Sequence, residues 1–186
     1  MFGGQILNEF KLSNNGKLIA GIGYYDYLGV QGYATLFDAK PRGNTLNANG
    51  NYLNDYNIVE TFAEYKTKMS DQPVSVFVNY FKNTAAQTLD TSYVVGVKLG
   101  KVKAAGSWDI GLNYQDTEAD AVIGLFNDSD FAGGHTDSKG FTLKAGYGIR
   151  KNVKIGLAYI NSEFGQSLPV QTKYNRLQLD FKVKFK

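Results

Sequence analysis

The sequence predicts an all-β protein, an antiparallel transmembrane β-barrel, and three observations carry that expectation. Apolar and polar residues alternate with period two through segment after segment, the pattern of strands with one greasy and one wet side. The composition agrees: twenty-one Gly and thirteen Tyr stand against three Pro in 186 residues, and no long Ala, Leu, Glu and Lys stretch runs at helical period. Finally, Tyr recurs at a fixed position. In Leu18 to Tyr24, Val74 to Tyr80, Trp108 to Tyr114 and Val153 to Tyr159, the Tyr comes six residues after the first apolar position.

Nine strands are expected in order, at roughly 4–13, 17–28, 57–69, 73–82, 92–102, 107–116, 140–150, 152–162 and 174–185. The first stops at the turn residues Asn14, Asn15 and Gly16. The second sets Leu18, Ile22 and Tyr24 against Gly21 and Gly23, and the third is divided from the fourth by Ser70, Asp71 and Gln72. In the fourth, Val74, Val76, Val78 and Tyr80 oppose Asn79, and the fifth carries Gly96 and Lys98 on its polar side. Residues 102–106 lead into the sixth, where Trp108, Ile110, Leu112 and Tyr114 face away from Asp109, Gly111, Asn113 and Gln115. The seventh brings Lys144, Gly146 and Gly148 to the polar side. Lys151 and Asn152 turn the chain into the eighth, with Lys154 and Gly156 polar and Tyr159 apolar. The ninth places Leu177, Leu179, Phe181, Val183 and Phe185 opposite Arg176, Gln178, Asp180, Lys182 and Lys184.

Connections alternate in length, with turns at one end and longer loops near 29–56, 83–91, 117–139 and 163–173 at the other, the asymmetry of outer-membrane barrels. Strands leaving short turns reach the far interface after equal numbers of residues, so Tyr24, Tyr80, Tyr114 and Tyr159 form an aromatic girdle. The next residues on that face are Asp26, Lys82, Asp116 and Asn161, where the greasy surface ends. Seven residues at ~3.3 Å, tilted by about 40°, give an apolar band of roughly 15–18 Å, thinner than the ~25 Å usual for such barrels. The other face belongs with water. Its basic residues outnumber its acidic ones, and Lys98, Asp109, Lys144, Lys154, Arg176 and Lys182 are the candidate pore-lining residues. Such a wall favours anions mildly, although its charges also have partners across neighbouring strands.

Other function classes find less support. With 43% hydrophobic residues, 14% aromatic residues and net charge +3, the composition is that of one folded unit, not a disordered chain. The absence of Cys leaves the compartment open. No run approaches the ~18 apolar residues of a spanning helix. The start, MFGGQILNEFKL, has neither a basic n-region nor an apolar h-region, so no export signal is read there. The single His, His135, lies among Asp128, Asp130, Asp137 and Ser138; catalysis by a lone His in a Gly-rich turn is weakly supported. Asp128-Ser-Asp130 starts like a calcium loop, but Ala132 and Lys139 stand where carboxylates are required. Gly21-Ile-Gly23 precedes no helix and marks no phosphate site. Lys and Arg alternate with apolar residues instead of sharing a patch with stacking aromatics, which argues against nucleic acid. No enzyme activity, cofactor or metal is expected. Alternation alone also permits a soluble lipocalin-like barrel with its apolar side inward; the aligned Tyr favour the membrane.

Two stretches resemble known sequences. The last strand, Tyr174 to Phe185, resembles the C-terminal signal read by the outer-membrane assembly machinery, though Lys186 follows the final aromatic. The run DTSYVVGVKLGKVKAAGSWDIGLNYQDTEADAVIGLFNDSDFAGGHTDSKGFTLKAGYGIRKNVKIGLAYI, residues 90–160, is similar to the C-terminal region of the bacterial family called putative porins, and GGQILNEFKL and GIGYYDY are similar to an earlier part of it. That resemblance implies a passive diffusion channel for small hydrophilic solutes or ions in a Gram-negative outer membrane. Its partners would be outer-membrane lipid, those solutes and the barrel-assembly machinery, with homo-oligomerisation left open. Nine is an odd strand number, whereas bacterial barrels have even ones. The chain is therefore read as one β-barrel domain or the C-terminal half of a porin of roughly sixteen strands, starting at an internal Met. The alternative is an eight-stranded non-conducting membrane anchor or adhesin.

Overall fold

Period-two alternation becomes strand in all nine expected places. A computed structural model describes every residue except Asn14, Ala39 and Lys186, and of Asp38 the backbone alone. The strands are β1 (Phe2–Lys11), β2 (Lys17–Asp26), β3 (Asn57–Met69), β4 (Gln72–Asn83), β5 (Thr91–Gly100), β6 (Trp108–Thr117), β7 (Ser138–Arg150), β8 (Val153–Phe164) and β9 (Thr172–Val183). They pair antiparallel in chain order, as a single meander. Ser70 and Asp71 both take left-handed backbone (φ 47° and 66°), the geometry whose twist suits a two-residue hairpin between β3 and β4. Asn152 does the same (φ 66°) between β7 and β8. Of the expected turn before β2, Asn14 lies outside the described residues, as does Lys186 after the final aromatic.

The register separates two faces. Tyr114 pairs with Val95 and Phe141, and Leu112 with Val97 and Leu143; one residue on, Asn113 pairs with Gly96 and Thr142. The same parity holds from β1 to β9, so every candidate Tyr lies on an apolar face and every candidate Lys, Arg and Asp on a polar one.

Register also yields a tilt. From Tyr24 the hydrogen-bond direction runs through Val59 to Lys82, two residues past Tyr80. From Tyr80 it runs through Tyr93 to Asp116, two past Tyr114. From Tyr114 it runs through Phe141 to Asn161, two past Tyr159. The Tyr row thus slips by about 6.6 Å along the strand for each 9.6 Å or so crossed, an angle of about 35°. Setting the row level inclines the strands by that angle, which is the tilt that closed barrels require.

The sheet itself is not closed. β1 pairs only with β2, and β9 only with β8. Being both odd-numbered in a meander, these edge strands run in the same direction and offer each other no antiparallel partner. Nor do eight strands close without β1, because β1 and β2 are paired along ten residues, from Phe2 with Asp26 to Lys11 with Lys17.

Among the described residues, buried apolar side chains cluster at the long-loop end. Tyr52, Tyr56, Val30 and Ile123 from the loops pack with Ile58 of β3, against Tyr25 and Phe81. A second cluster joins loop residues Phe131 and Ala132 to Ile160 and Phe164 of β8. Ile58, Tyr25, Phe81 and Ile160 all belong to the polar face by register. The loops are therefore folded over that face. Among the described residues no buried apolar cluster sits on the apolar face, which meets loop residues at its rim, where Gln166 donates to Asp116 and Asp90 pairs with Lys82.

Candidate functional site

On the polar face, charge is arranged by the ladder. One hydrogen-bonded row runs Lys98, Gly111, Lys144, Ala158, Gln178 across five strands. Two residues toward the short turns, the row reads Gly100, Asp109, Gly146, Gly156, Asp180. Below it Lys154 pairs directly with Lys182. The structure thus brings five of the six candidate residues around one recess of about 450 Å³, whose wall also includes Asp130. Arg176 lies two residues beyond Gln178 on β9, toward the loops.

Whether these charges satisfy one another differs residue by residue. Arg176 is held 3.1 Å from Asp130, which also accepts a hydrogen bond from Gln178 (2.8 Å). Lys182 lies 3.5 Å from Asp180, Lys66 2.8 Å from Glu64, and Lys17 2.8 Å from Glu9. Among the described residues, Lys98, Lys144 and Lys154 form no ion pair. Exposed pairs contribute little energy, so their meaning lies in where they leave charge uncompensated.

Water does not fill every glycine gap on this face, contrary to what alternation alone suggests. A Cβ at Gly21 would collide with the Phe62 ring, and one at Gly96 would lie 2.5 Å from Cζ of Phe77. Both Phe residues share the polar parity, so each glycine leaves a slot for a cross-strand aromatic, a known means of filling sheet glycines. Gly111 and Gly156 differ: a Cβ at either would meet nothing nearer than 3.5 Å.

Loops 27–56 and 118–137 form a joint cap through a polar knot. Asp120, 2% exposed, accepts bonds from the Thr45 amide, Asn54 Nδ2 and Tyr56 Oη, each at 2.9 Å. Burial, reinforced by this carboxylate, pushes the Tyr56 hydroxyl far above its ordinary pKa. Asn44 Nδ2 donates to the Ala119 and Val122 carbonyls, and its Oδ1 accepts from the Gly124 amide (2.8 Å). Asn83 Nδ2 bridges the Asp55 and Asp120 carbonyls. Further along, the Asp137 carboxylate accepts bonds from the Ser167 amide and hydroxyl, tying down the loop after β8. Left unpaired, such buried groups cost about 1–3 kcal/mol each; paired, they hold the two loops in one arrangement.

His135 serves that cap. Its ring stacks on Phe164 at 4.2 Å, and Nδ1 lies 2.9 Å from the Ala132 carbonyl oxygen, to which it donates. Asp128 Oδ1 accepts the Asp130 amide in a local turn, while Asp130 itself is spent on β9. Among the described residues no cluster of three or more potential metal ligands occurs.

On the apolar face the Tyr row is denser than four. Tyr93 pairs with Tyr80 and its ring lies 6.1 Å from Tyr114; Phe141 lies 6.1 Å from Tyr159, and Phe2 6.4 Å from Tyr24. These additional rings come from odd strands, which run the opposite way. A second set, Tyr65, Trp108 and Tyr147, lies toward the short turns, with Trp108 and Tyr147 directly paired. The six residue steps from Trp108 to Tyr114 project to about 16 Å at this tilt, and Ile149 extends the surface on β7 to about 22 Å.

A family model described as putative porin matches residues 51–185, most of the chain but not β1 and β2. Neither the curated proteins nor the solved structures provide a match.

Proposed function

The chain belongs to the putative porin family, and we propose that it forms part of an outer-membrane channel for passive diffusion of small hydrophilic solutes or ions, with mild anion preference. One observation supports this reading most: the apolar face is bare although loops are available to cover it. Ile22, Val76, Ile110, Leu112 and Leu157 all expose more than two fifths of their surface, yet both long loops pack on the opposite, charged face. Soluble monomers rarely expose apolar patches beyond roughly a few hundred Å², and a soluble barrel would turn this face inward. Lipid is the solvent that suits it.

The remaining features accord with a channel. A tilt of about 35° lies within the barrel range, and the two aromatic sets suit the two interfaces of a bilayer. Open edges on β1 and β9 call for further strands, because unpaired strand edges are not tolerated in lipid; at roughly sixteen strands the interior is a water-filled lumen. Lys98, Asp109, Lys144, Lys154, Arg176 and Lys182 then line it, and Tyr24, Tyr80, Tyr114 and Tyr159 form the loop-side girdle. β9, with its apolar side free, is the strand offered to the assembly machinery. The test is conductance of the full-length protein in a planar bilayer. Stepwise currents that reverse at a potential of weak anion preference in a salt gradient are expected; folded, inserted protein without current steps overturns the reading.

A further inference from the structure

Among the described residues the candidate cations Lys98, Lys144 and Lys154 form no ion pair, and their setting is more particular than a diffuse positive surface. Lys98 and Lys144 flank Gly111 in one ladder row. Across two strand spacings their Cα atoms stand about 10 Å apart, within reach of two lysine arms over a residue with no side chain. Four residues along β8 from the Lys144 row, Lys154 pairs with Lys182. Like charges directly opposite are destabilising, and Asp180 compensates only Lys182.

At Gly111 and Gly156 the floor is unfilled without steric necessity, whereas at Gly146 a Cβ would lie 2.7 Å from Oδ1 of Asp109. Gly21 and Gly96 are glycine because a Phe ring occupies the space, whereas Gly111 and Gly156 have room for a Cβ. Glycine in a strand interior weakens it and marks sites of close approach. Three carboxylates share the recess: Asp130 is neutralised by Arg176 and Asp180 by Lys182. That leaves Asp109 facing the unpaired Lys98, Lys144 and Lys154, an excess of positive charge.

Resting on the channel reading, we infer that this recess is a binding site for small polyvalent anions bearing phosphate-type oxygens, with Lys98 and Lys144 over Gly111 as one station and Lys154 beside Lys182 as the next. Lysine suits that class, being a point charge with three rotatable donors instead of the planar fork that arginine presents to a carboxylate. A recess of about 450 Å³ lies within the size range of ligand sites. A monovalent ion touches one station weakly and passes; a polyvalent one is held.

Pyrophosphate titrated into potassium chloride during single-channel recording of the full-length protein tests this. Wild-type current should fall in a saturable manner with pyrophosphate. Lys98→Gln with Lys144→Gln, both exposed and unpaired, should raise the half-blocking concentration at least tenfold. Gly111→Val keeps every charge, and its Cβ would meet nothing nearer than 3.5 Å; it should weaken block several-fold, a loss that charge removal does not explain. A conducting wild-type channel without saturable block overturns the site, as does block that both variants leave intact. Absence of any current steps instead overturns the channel reading beneath it.

Discussion

Replacing Leu112 with Arg separates the two faces energetically. Leu112 is 47% exposed on the apolar face, between cross-strand neighbours Val97 and Leu143. Along β6 it stands four residues from Trp108 and two from Tyr114, which at a tilt of about 35° puts it within about 3 Å of the middle of the band. Arg at such a depth on a lipid-facing strand costs about 2–4 kcal/mol, or roughly 30- to 900-fold in the folding equilibrium. Tyr114→Arg, at the interface, should incur a charge penalty of about 0–1 kcal/mol. Asn113→Arg points its guanidinium to the polar face beside Thr142 and should stay within about 0.5 kcal/mol. Urea unfolding of protein refolded into lipid vesicles measures all three, with Trp108, the only Trp in the chain, as fluorescent reporter. An Asn113→Arg variant less stable than Leu112→Arg refutes the face assignment.

Three further outcomes follow from the same geometry. Gly96→Ala should cost about 1–3 kcal/mol by overpacking, since its Cβ would lie 2.5 Å from the Phe77 ring; combining it with Phe77→Ala should be non-additive by at least 0.5 kcal/mol or so in unfolding midpoints, and strict additivity contradicts the slot. Asp120→Ala removes the acceptor shared by Thr45, Asn54 and Tyr56, so limited proteolysis should cut within 27–56 and 118–137 while the strands stay protected; wild-type resistance contradicts the knot. Changing Lys98, Lys144 and Lys154 together to Glu should move the reversal potential toward cation preference without abolishing current, modestly because charge is screened beyond about 8 Å at physiological salt. An unmoved potential removes these lysines from the conducting path.

Strand number, order and face were legible because alternation is a local property: each residue of Trp108 to Tyr114 declares its side through its neighbours. The aromatic row was half legible. Tyr24, Tyr80, Tyr114 and Tyr159 share a spacing from short turns, whereas Tyr93 and Phe141 join the same row from strands starting at the long loops, where loop length hides the count. Phe62 and Phe77 interrupt an otherwise polar parity; the available signal was a glycine on the neighbouring strand, but only register shows that Gly21 faces Phe62 and Gly96 faces Phe77. Least legible was the cap. Asp120 and Tyr56 are 64 residues apart, and no periodicity in a loop announces that Asp130 will reach Arg176. Pairings among the charges were equally hidden, since they depend on which side chain the cap delivers to each strand.

If one face of this sheet meets lipid and the other water, as proposed, solvent accessibility along β6 shows that division most directly. Because the chain has no Cys, its single Cys variants at positions 109 to 114, compared with the unsubstituted protein, report on β6 in the inserted, conducting full-length protein. A membrane-impermeant thiol reagent should modify the variants at Asp109, Gly111 and Asn113, while those at Ile110, Leu112 and Tyr114 resist it and lie within reach of a lipid-borne quencher when labelled. Reversal of this alternation, or uniform labelling along the strand, contradicts a sheet that stands between lipid and a water-filled path.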